Sequence, residues 1–263
     1  GHQSTPEGWK VHDLAEQVRH VAVVLQESGC GAEGVQSVVI GHSIGAYIAL
    51  RALERIGDSS STYLGLMPFM QRNSASPRYR RTQLLLTCFW PMITVVALLA
   101  AVIGRLPLSV RHLALTPFVQ GMDDEAVALT LTSMPRFRTV VNHLFLGLAE
   151  FVHFAQARLL DFSRDLAPVS GRSHFLFTDN DFWAPVSLHE ALQREGLDSD
   201  LLTGVRHAFS VQRESRRRVL RWVVRKLSAV AAAGASGEGS RRSSSRKSRS
   251  SGLVGATPPY AAE

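Results

Sequence analysis

The chain has 263 residues, 45% of them hydrophobic, enough to bury one sizeable core and consistent with one domain plus an insertion. Its formal net charge is +7, but Arg241, Arg242, Arg246, Lys247 and Arg249 of the tail RRSSSRKSRS face only Glu263 beyond Gly239. The body is therefore only mildly basic, and the tail lacks aromatic interleaving, so no nucleic-acid partner is expected. Two cysteines, Cys30 and Cys88, are too few for a disulfide framework or a cysteine metal cluster and fit a reducing compartment. The opening GHQSTPEGWKVHDL has no apolar run of the kind a secretory leader needs.

In chain order, residues 1–10 read as a loop punctuated by Pro6 and Gly8, and Val11 to Glu27 read as an amphipathic helix with apolar residues three and four apart. Val38-Val39-Ile40 is a short β-branched run, expected to be a strand buried on both faces. A helix follows from Ile44 to Ile56, stopped by Gly57, and TYLGLMPFM (62–70) reads as the next buried strand. From Gln71 to Pro168 there is helical periodicity without a convincing strand, which predicts a helical insertion. SHFLFTDND, from Ser173, returns to a strand ending in a polar turn. VSLHEALQRE is a helix, LLTGVRHAF a short strand and loop, and Val211–Ala233 a closing helix. Beyond Gly234, Gly, Ser, Arg and Pro dominate, the composition of a disordered tail. The expected divisions are 1–70 for the first part of the core, 71–168 for a helical cap, 169–233 for the second part of the core, and 234–263 for the tail. Strands alternating with helices imply an α/β class with a parallel sheet.

Gly41-His42-Ser43-Ile44-Gly45 fits G-x-S-x-G directly after a strand and directly before a helix. Such a turn holds the serine in a strained conformation that needs small neighbours, here Gly41 and Gly45, and lifts its hydroxyl above the sheet. The first-turn amides of the helix, beginning with Ile44, then face the position of an oxyanion. A serine hydroxyl needs a base and an orienting carboxylate, expected in the order Ser, Asp or Glu, His. His207 sits after the last strand-like run and Asp181 in the loop after the penultimate one; Asp179, two positions earlier, is the alternative acid. His42 is expected to pack under the nucleophile, and His112, His143 and His153 to be ordinary residues of the insertion. No histidine pair has metal-ligand spacing joined to a third donor, so neither a metal nor a cofactor is expected.

With GHSIGAYIALRALER, LMPFMQRNSASPRYRR, DNDFWAP and HAFS, the chain resembles the lipid-droplet-associated serine hydrolases over roughly residues 1–225. The segment Ser74-Ala75-Ser76-Pro77 is more specific to that resemblance than the pentapeptide itself. The resemblance implies an α/β-hydrolase fold with Ser43 as nucleophile, Asp181 as acid and His207 as base. It also implies lipid ester substrates, of sterol ester or acylglycerol type, and a location on the cytosolic face of lipid droplets and the endoplasmic reticulum. Family members begin with further strands and a Gly/Pro-rich loop that supplies a second oxyanion donor. A chain opening at Gly1 with GHQSTPEG is accordingly expected to be a fragment of the complete fold.

Leu84 to Ile103, LLLTCFWPMITVVALLAAVI, carries no charge, and Arg78, Arg80 and Arg81 precede it while Arg105 follows. A straight helix of that length spans about 30 Å, the thickness of a bilayer core, but Pro91 falls near its middle and would kink it. Three arrangements stay open: a span, a bent hairpin in one leaflet or a droplet monolayer, and a buried cap helix. Two functional classes compete with a lipid ester hydrolase: a catalytically inactive lipid-surface protein on the same fold, and a soluble esterase or thioesterase.

Overall fold

The structure, a computed structural model, describes residues 13–88, 92–156, 166, 169 and 171–249. Helix α1 (Leu14–Glu27) is started by a capping box: the Asp13 carboxylate accepts from the Glu16 amide at 2.7 Å, and Glu16 Oε2 accepts from the Asp13 amide at 3.2 Å. Two otherwise orphaned donors are satisfied this way. Val11, where the periodicity begins, lies outside the described residues.

Strands β1 (Val38–His42), β2 (Thr62–Leu66), β3 (Ser173–Thr178) and β4 (Asp198–Leu202) form one parallel sheet in the order β1-β2-β3-β4. The register pairs Ile40 with Leu64, Leu64 with His174, and Leu176 with Asp200. Helix α2 (Ile44–Ile56) crosses from β1 to β2 and is closed by Gly57 in the left-handed region at φ 66°. Because the strands all run one way, the loops after β1, β2, β3 and β4 leave from the same edge of the sheet, which is where α/β folds place their sites.

Three features differ from the sequence expectation, each for a local reason. Burial on both faces holds for β2, but on β1 Val38 and Ile40 are 43% and 48% exposed. Helix α2 covers only the face bearing Val39 and Gly41, and among the described residues β1 pairs with β2 alone. Strand β2 ends at Leu66 rather than running to Met70, because Met67 turns to φ 43° and Pro68 has no amide to donate. Strand β4 begins at Asp198, three residues before the apolar Leu201-Leu202; as the other terminal strand it tolerates the polar Asp-Ser-Asp start.

Between β2 and β3 the described elements are all helices: α3 (Pro77–Cys88), α4 (Met92–Ile103), α5 (Leu108–Val119), α6 (Asp124–Ser133) and α7 (Phe137–Gln156). Helix α4 seats Ile93 and Ala97 against Phe137, Val140, Val141, Leu144 and Leu148 of α7, while much of its remaining surface is open. No single helix among the described residues is long and apolar enough to cross a membrane. Helices α3 and α4 pass that test only as a pair, bent by 95°. Pro91 lies outside the described residues. After β3 come α8 (Val186–Arg194), β4, a 3-10 turn at Phe209–Val211, and α9 (Arg213–Arg249). Residues 250–263 lie outside those described. The chain forms two compact units, 1–219 and 220–263; within the second, Lys226 Nζ lies 5.6 Å from the centre of the Trp222 ring.

Both cysteines are free. Buried Cys30, just past α1, donates through Sγ to Asp58 Oδ2 at 3.0 Å, and Asp58 also accepts from the Ser60 amide at 2.6 Å, the Ser60 hydroxyl at 2.8 Å, the Ser61 amide at 3.1 Å, and the Ser61 hydroxyl. Burial alone would push this carboxyl up; hydrogen bonds from Ser61, Cys30 and Ser60 outweigh it and hold the group well below the usual carboxylate range. The network ties the loop after α1 to the loop entering β2. Asp58→Asn is expected to cost about 1–3 kcal/mol at pH 7. A depressed folded-state pKa stabilises above the unfolded-state value and is lost as pH falls below it. The gap between wild type and variant in thermal melts should therefore narrow from about pH 4 downward.

Candidate active site

Ser43 occupies the turn between β1 and α2 at φ 55°, ψ −127°, a conformation rare outside glycine. Three main-chain hydrogen bonds hold it there: its amide donates to Leu66 O at 3.0 Å, and its carbonyl accepts from the Ala46 amide at 3.0 Å and the Phe69 amide at 3.1 Å. The strand-to-helix approach is close enough that a Cβ at Gly41 would stand 2.4 Å from Ala46 Cα and 2.7 Å from Gly45 O. A Cβ at Gly45 would meet nothing within 4 Å, so the crowding that demands glycine lies at Gly41. Although Ser43 is the N-cap of α2, its side chain caps no amide. The hydroxyl is thus directed elsewhere, and Ile44 supplies the first amide of the helix beside it, in the turn where amides have no intrahelical acceptor.

That hydroxyl lies 2.8 Å from His207 Nε2, and His207 Nδ1 lies 2.5 Å from Asp181 Oδ2. A carboxylate only accepts, so neutral His207 carries its proton on Nδ1 and receives the Ser43 hydroxyl on Nε2. The Asp181 side chain is 0% exposed, and its other oxygen accepts from the Trp183 amide at 2.8 Å and the Ala184 amide at 3.2 Å. These bonds compensate a buried carboxylate and fix its direction. The three residues come from the loops after β1, β3 and β4. Asp179 serves a different place: its Oδ1 accepts from the Gly204 amide at 2.8 Å and the Thr178 hydroxyl at 3.2 Å, shaping the turn that precedes His207.

His42 was expected only to pack under the nucleophile, and Asn73 and Phe69 carried no advance signal. His42 bonds the main chain of His207: its Nε2 lies 2.9 Å from His207 O. Burial first, and then the neighbouring His207, lower its pKa, while the bond to the His207 carbonyl and the charge of Asp181 oppose the shift. Asn73 Nδ2 donates to Phe182 O at 2.9 Å, pinning the loop that carries Asp181. Phe69 joins the core to the cap through ring contacts with Phe154 at 4.6 Å, Trp183 at 5.4 Å, Tyr79 at 6.1 Å and Phe151 at 6.5 Å. His153, on α7, pairs with the Tyr47 hydroxyl at 2.8 Å, while His112 and His143 are exposed. Among the described residues no group of three His, Cys, Asp or Glu side chains could hold a metal ion.

A parallel sheet with helical crossovers, a serine at a strained strand-to-helix turn, and a helical insertion after the next strand define an α/β-hydrolase fold. Solved structures share it: an alpha/beta hydrolase from a Medee basin deep-sea metagenome library (TM-score 0.53, 15% identity, 87% of this chain and 76% of that one), and a bromoperoxidase from Bacillus anthracis (TM-score 0.53, 13% identity, 86% and 78%). Within that superfamily, the chain belongs to the lipid-droplet associated hydrolase family, which residues 1–210 match. It is similar to the lipid droplet-associated hydrolase of Rattus norvegicus, at 24% identity over 223 residues covering 82% of this chain and 66% of the rat protein. It is also similar to the Gallus gallus protein of that name, at 24% identity over 206 residues covering 76% and 60%. The chain spans less than two thirds of the length of these relatives.

Two alanine substitutions separate crowding from mere sequence pattern. Gly41→Ala forces Cβ into the α2 backbone and is expected to cost about 2 kcal/mol or more in urea unfolding. Gly45→Ala meets open space at the start of a helix and should be neutral or stabilising by up to about 1 kcal/mol.

Proposed function

We propose that this chain hydrolyses lipid esters through an acyl-enzyme on Ser43, at the surface of lipid droplets and the cytosolic face of the endoplasmic reticulum. The observation that carries the chemistry is the unbroken path from the Ser43 hydroxyl through the His207 ring to the buried Asp181 carboxylate. In this reading His207 Nε2 takes the hydroxyl proton as Ser43 Oγ attacks the ester carbonyl carbon. The tetrahedral oxyanion faces the first-turn amides of α2, beginning with Ile44, where the helix dipole favours negative charge. Asp181 stabilises the imidazolium, which then protonates the departing alcohol. Water, deprotonated by the same nitrogen, releases the acyl group as a carboxylic acid and restores Ser43.

The substrate class rests on the family and on the cap. The relatives carry lipid droplets in their names. On α4, Leu98 and Leu99 are 54% and 59% exposed, as is Val102 nearby, and Leu84 and Leu85 of α3 are likewise open. Large apolar side chains exposed close together on one helix, as Leu98, Leu99 and Val102 are on α4, mark an interaction surface. Arg78, Arg80 and Arg81 before it and Arg105 after it suit anionic headgroups at its rim. A bent pair of helices fits a monolayer over oil, where a full span has no second aqueous face to reach. The same exposure favours a second reading, a lipid-surface protein that attaches without catalysis.

The two readings separate by substitution. Ser43→Ala should lower hydrolysis of a p-nitrophenyl ester by roughly four to six orders of magnitude while leaving flotation with phospholipid-coated triolein droplets unchanged. Wild-type hydrolysis by that variant would overturn the serine mechanism. A triple change, Leu98→Glu, Leu99→Glu and Val102→Glu, should abolish flotation yet keep turnover of the soluble ester within about threefold of wild type. Undiminished flotation would remove the attachment surface from the cap.

A further inference from the structure

His42 is the last residue of β1 and the neighbour of Ser43, and it reaches 165 positions along the chain to the residue that Ser43 itself contacts. Its Nε2 stands 2.9 Å from the main-chain oxygen of His207. A carbonyl can only accept, so Nε2 must carry the proton, and neutral His42 is the Nε2–H tautomer. Its ring is held from two sides, 5.1 Å from the His207 ring and 4.9 Å edge-on from Phe209. His42 and Ser43 therefore hold one residue at two points, its peptide carbonyl and its imidazole Nε2. The closed path runs from the Ser43 side chain through the His207 ring and backbone to the His42 side chain, then back along a single peptide bond. The His42 bond therefore restrains the backbone of the loop after β4 at the residue whose imidazole meets Ser43.

We infer that His42 is a positioning residue for the proposed reaction, a neutral donor that clamps the peptide of His207 so that its Nε2 stays within proton-transfer reach of Ser43. The inference rests on the serine reading above but goes beyond it, assigning a role to the first of the two variable positions of the pentapeptide. The groups that face His42 are His207, Asp181 and Phe209. Burial and the nearby imidazole disfavour a charge on His42, so the clamp stays neutral while His207 gains and loses its proton. The role requires a donor at the Nε2 position; ring volume alone does not supply it.

Phenylalanine keeps the volume and removes the donor, whereas glutamine returns an N–H near the Nε2 position. On a soluble p-nitrophenyl ester, His42→Phe should lower kcat about 10- to 100-fold with KM within about twofold of wild type, the cost of misplacing a catalytic group by a fraction of its reach. His42→Gln should recover at least about half of the lost kcat. A shared loss in both variants, or wild-type kcat in His42→Phe, would overturn the inference. If His42→Phe does not fold, as judged by circular dichroism, His42→Gln against His42→Asn reads the same contrast, since the shorter amide falls short of the carbonyl. Equal kcat in that pair would overturn the inference. Ser43→Ala run alongside keeps the two levels apart. If Ser43→Ala is as active as wild type, the serine reading fails. If Ser43→Ala is inactive while His42→Phe is unimpaired, only the clamp fails.

Discussion

The site depends on holding one non-glycine residue where the backbone resists going. Ser43 at φ 55°, ψ −127° carries a local strain of about 1–3 kcal/mol, which persists only when the surroundings over-determine it. They do so through bonds from both directions: Leu66 O receives the Ser43 amide, while Ala46 and Phe69 donate to its carbonyl. Each bond comes from a different element: the end of β2, the first turn of α2, and the chain just after Pro68. The early end of β2 is part of the same device. Met67 at φ 43° and Pro68 swing the chain out of the sheet, so that Phe69 points its amide at the elbow and its ring at the cap.

The architecture follows from strand direction. In a parallel sheet ordered β1-β2-β3-β4, the loops bearing Ser43, Asp181 and His207 must all leave from one edge, although those residues are 138 and 26 positions apart in sequence. The α2 crossover and the long helical insertion change the chain length between strands without changing that geometry. The insertion is coupled to the site through aromatic packing: Tyr79 from α3 and Phe151 and Phe154 from α7 meet Phe69, and Trp183 joins them from the Asp181 loop. The helical insertion and the loop that orients the carboxylate thus share one aromatic cluster.

How much of this was legible in the sequence differs by the kind of force involved. The strand-turn-helix at Val38–Ile56 was plain, because β-branched residues, flanking glycines and helical periodicity all report on local backbone preference. The ordering of Ser43, Asp181 and His207 was legible from chain order and the strand-then-polar-loop pattern, whereas the capping box of Asp13 and Glu16 that starts α1 was found only in the structure. The start of β4 was not: a terminal strand need not be apolar, and Asp198-Ser199-Asp200 has no alternation to betray it. Nor was the clamp by His42, or that of Asn73 on the Phe182 carbonyl. A hydrogen bond to a distant main-chain oxygen leaves no trace in the identity of the residue that owns the oxygen.

The apolar run shows how composition and structure divide the question between them. Twenty uncharged residues could be read as one membrane-length rod, but the helices on either side of positions 89–91 lie at 95° to each other, and one seam of α4 is committed to α7 through Ile93 and Ala97. A helix packed along one seam and apolar on its remaining faces has spare hydrophobic surface that α7 does not cover. At about 25 cal/mol per Å², full burial of a leucine is worth roughly 1.5–3 kcal/mol, of which half-exposed Leu98 and Leu99 each forgo about half. That cost becomes a gain wherever Leu98, Leu99 and Val102 meet an acyl phase.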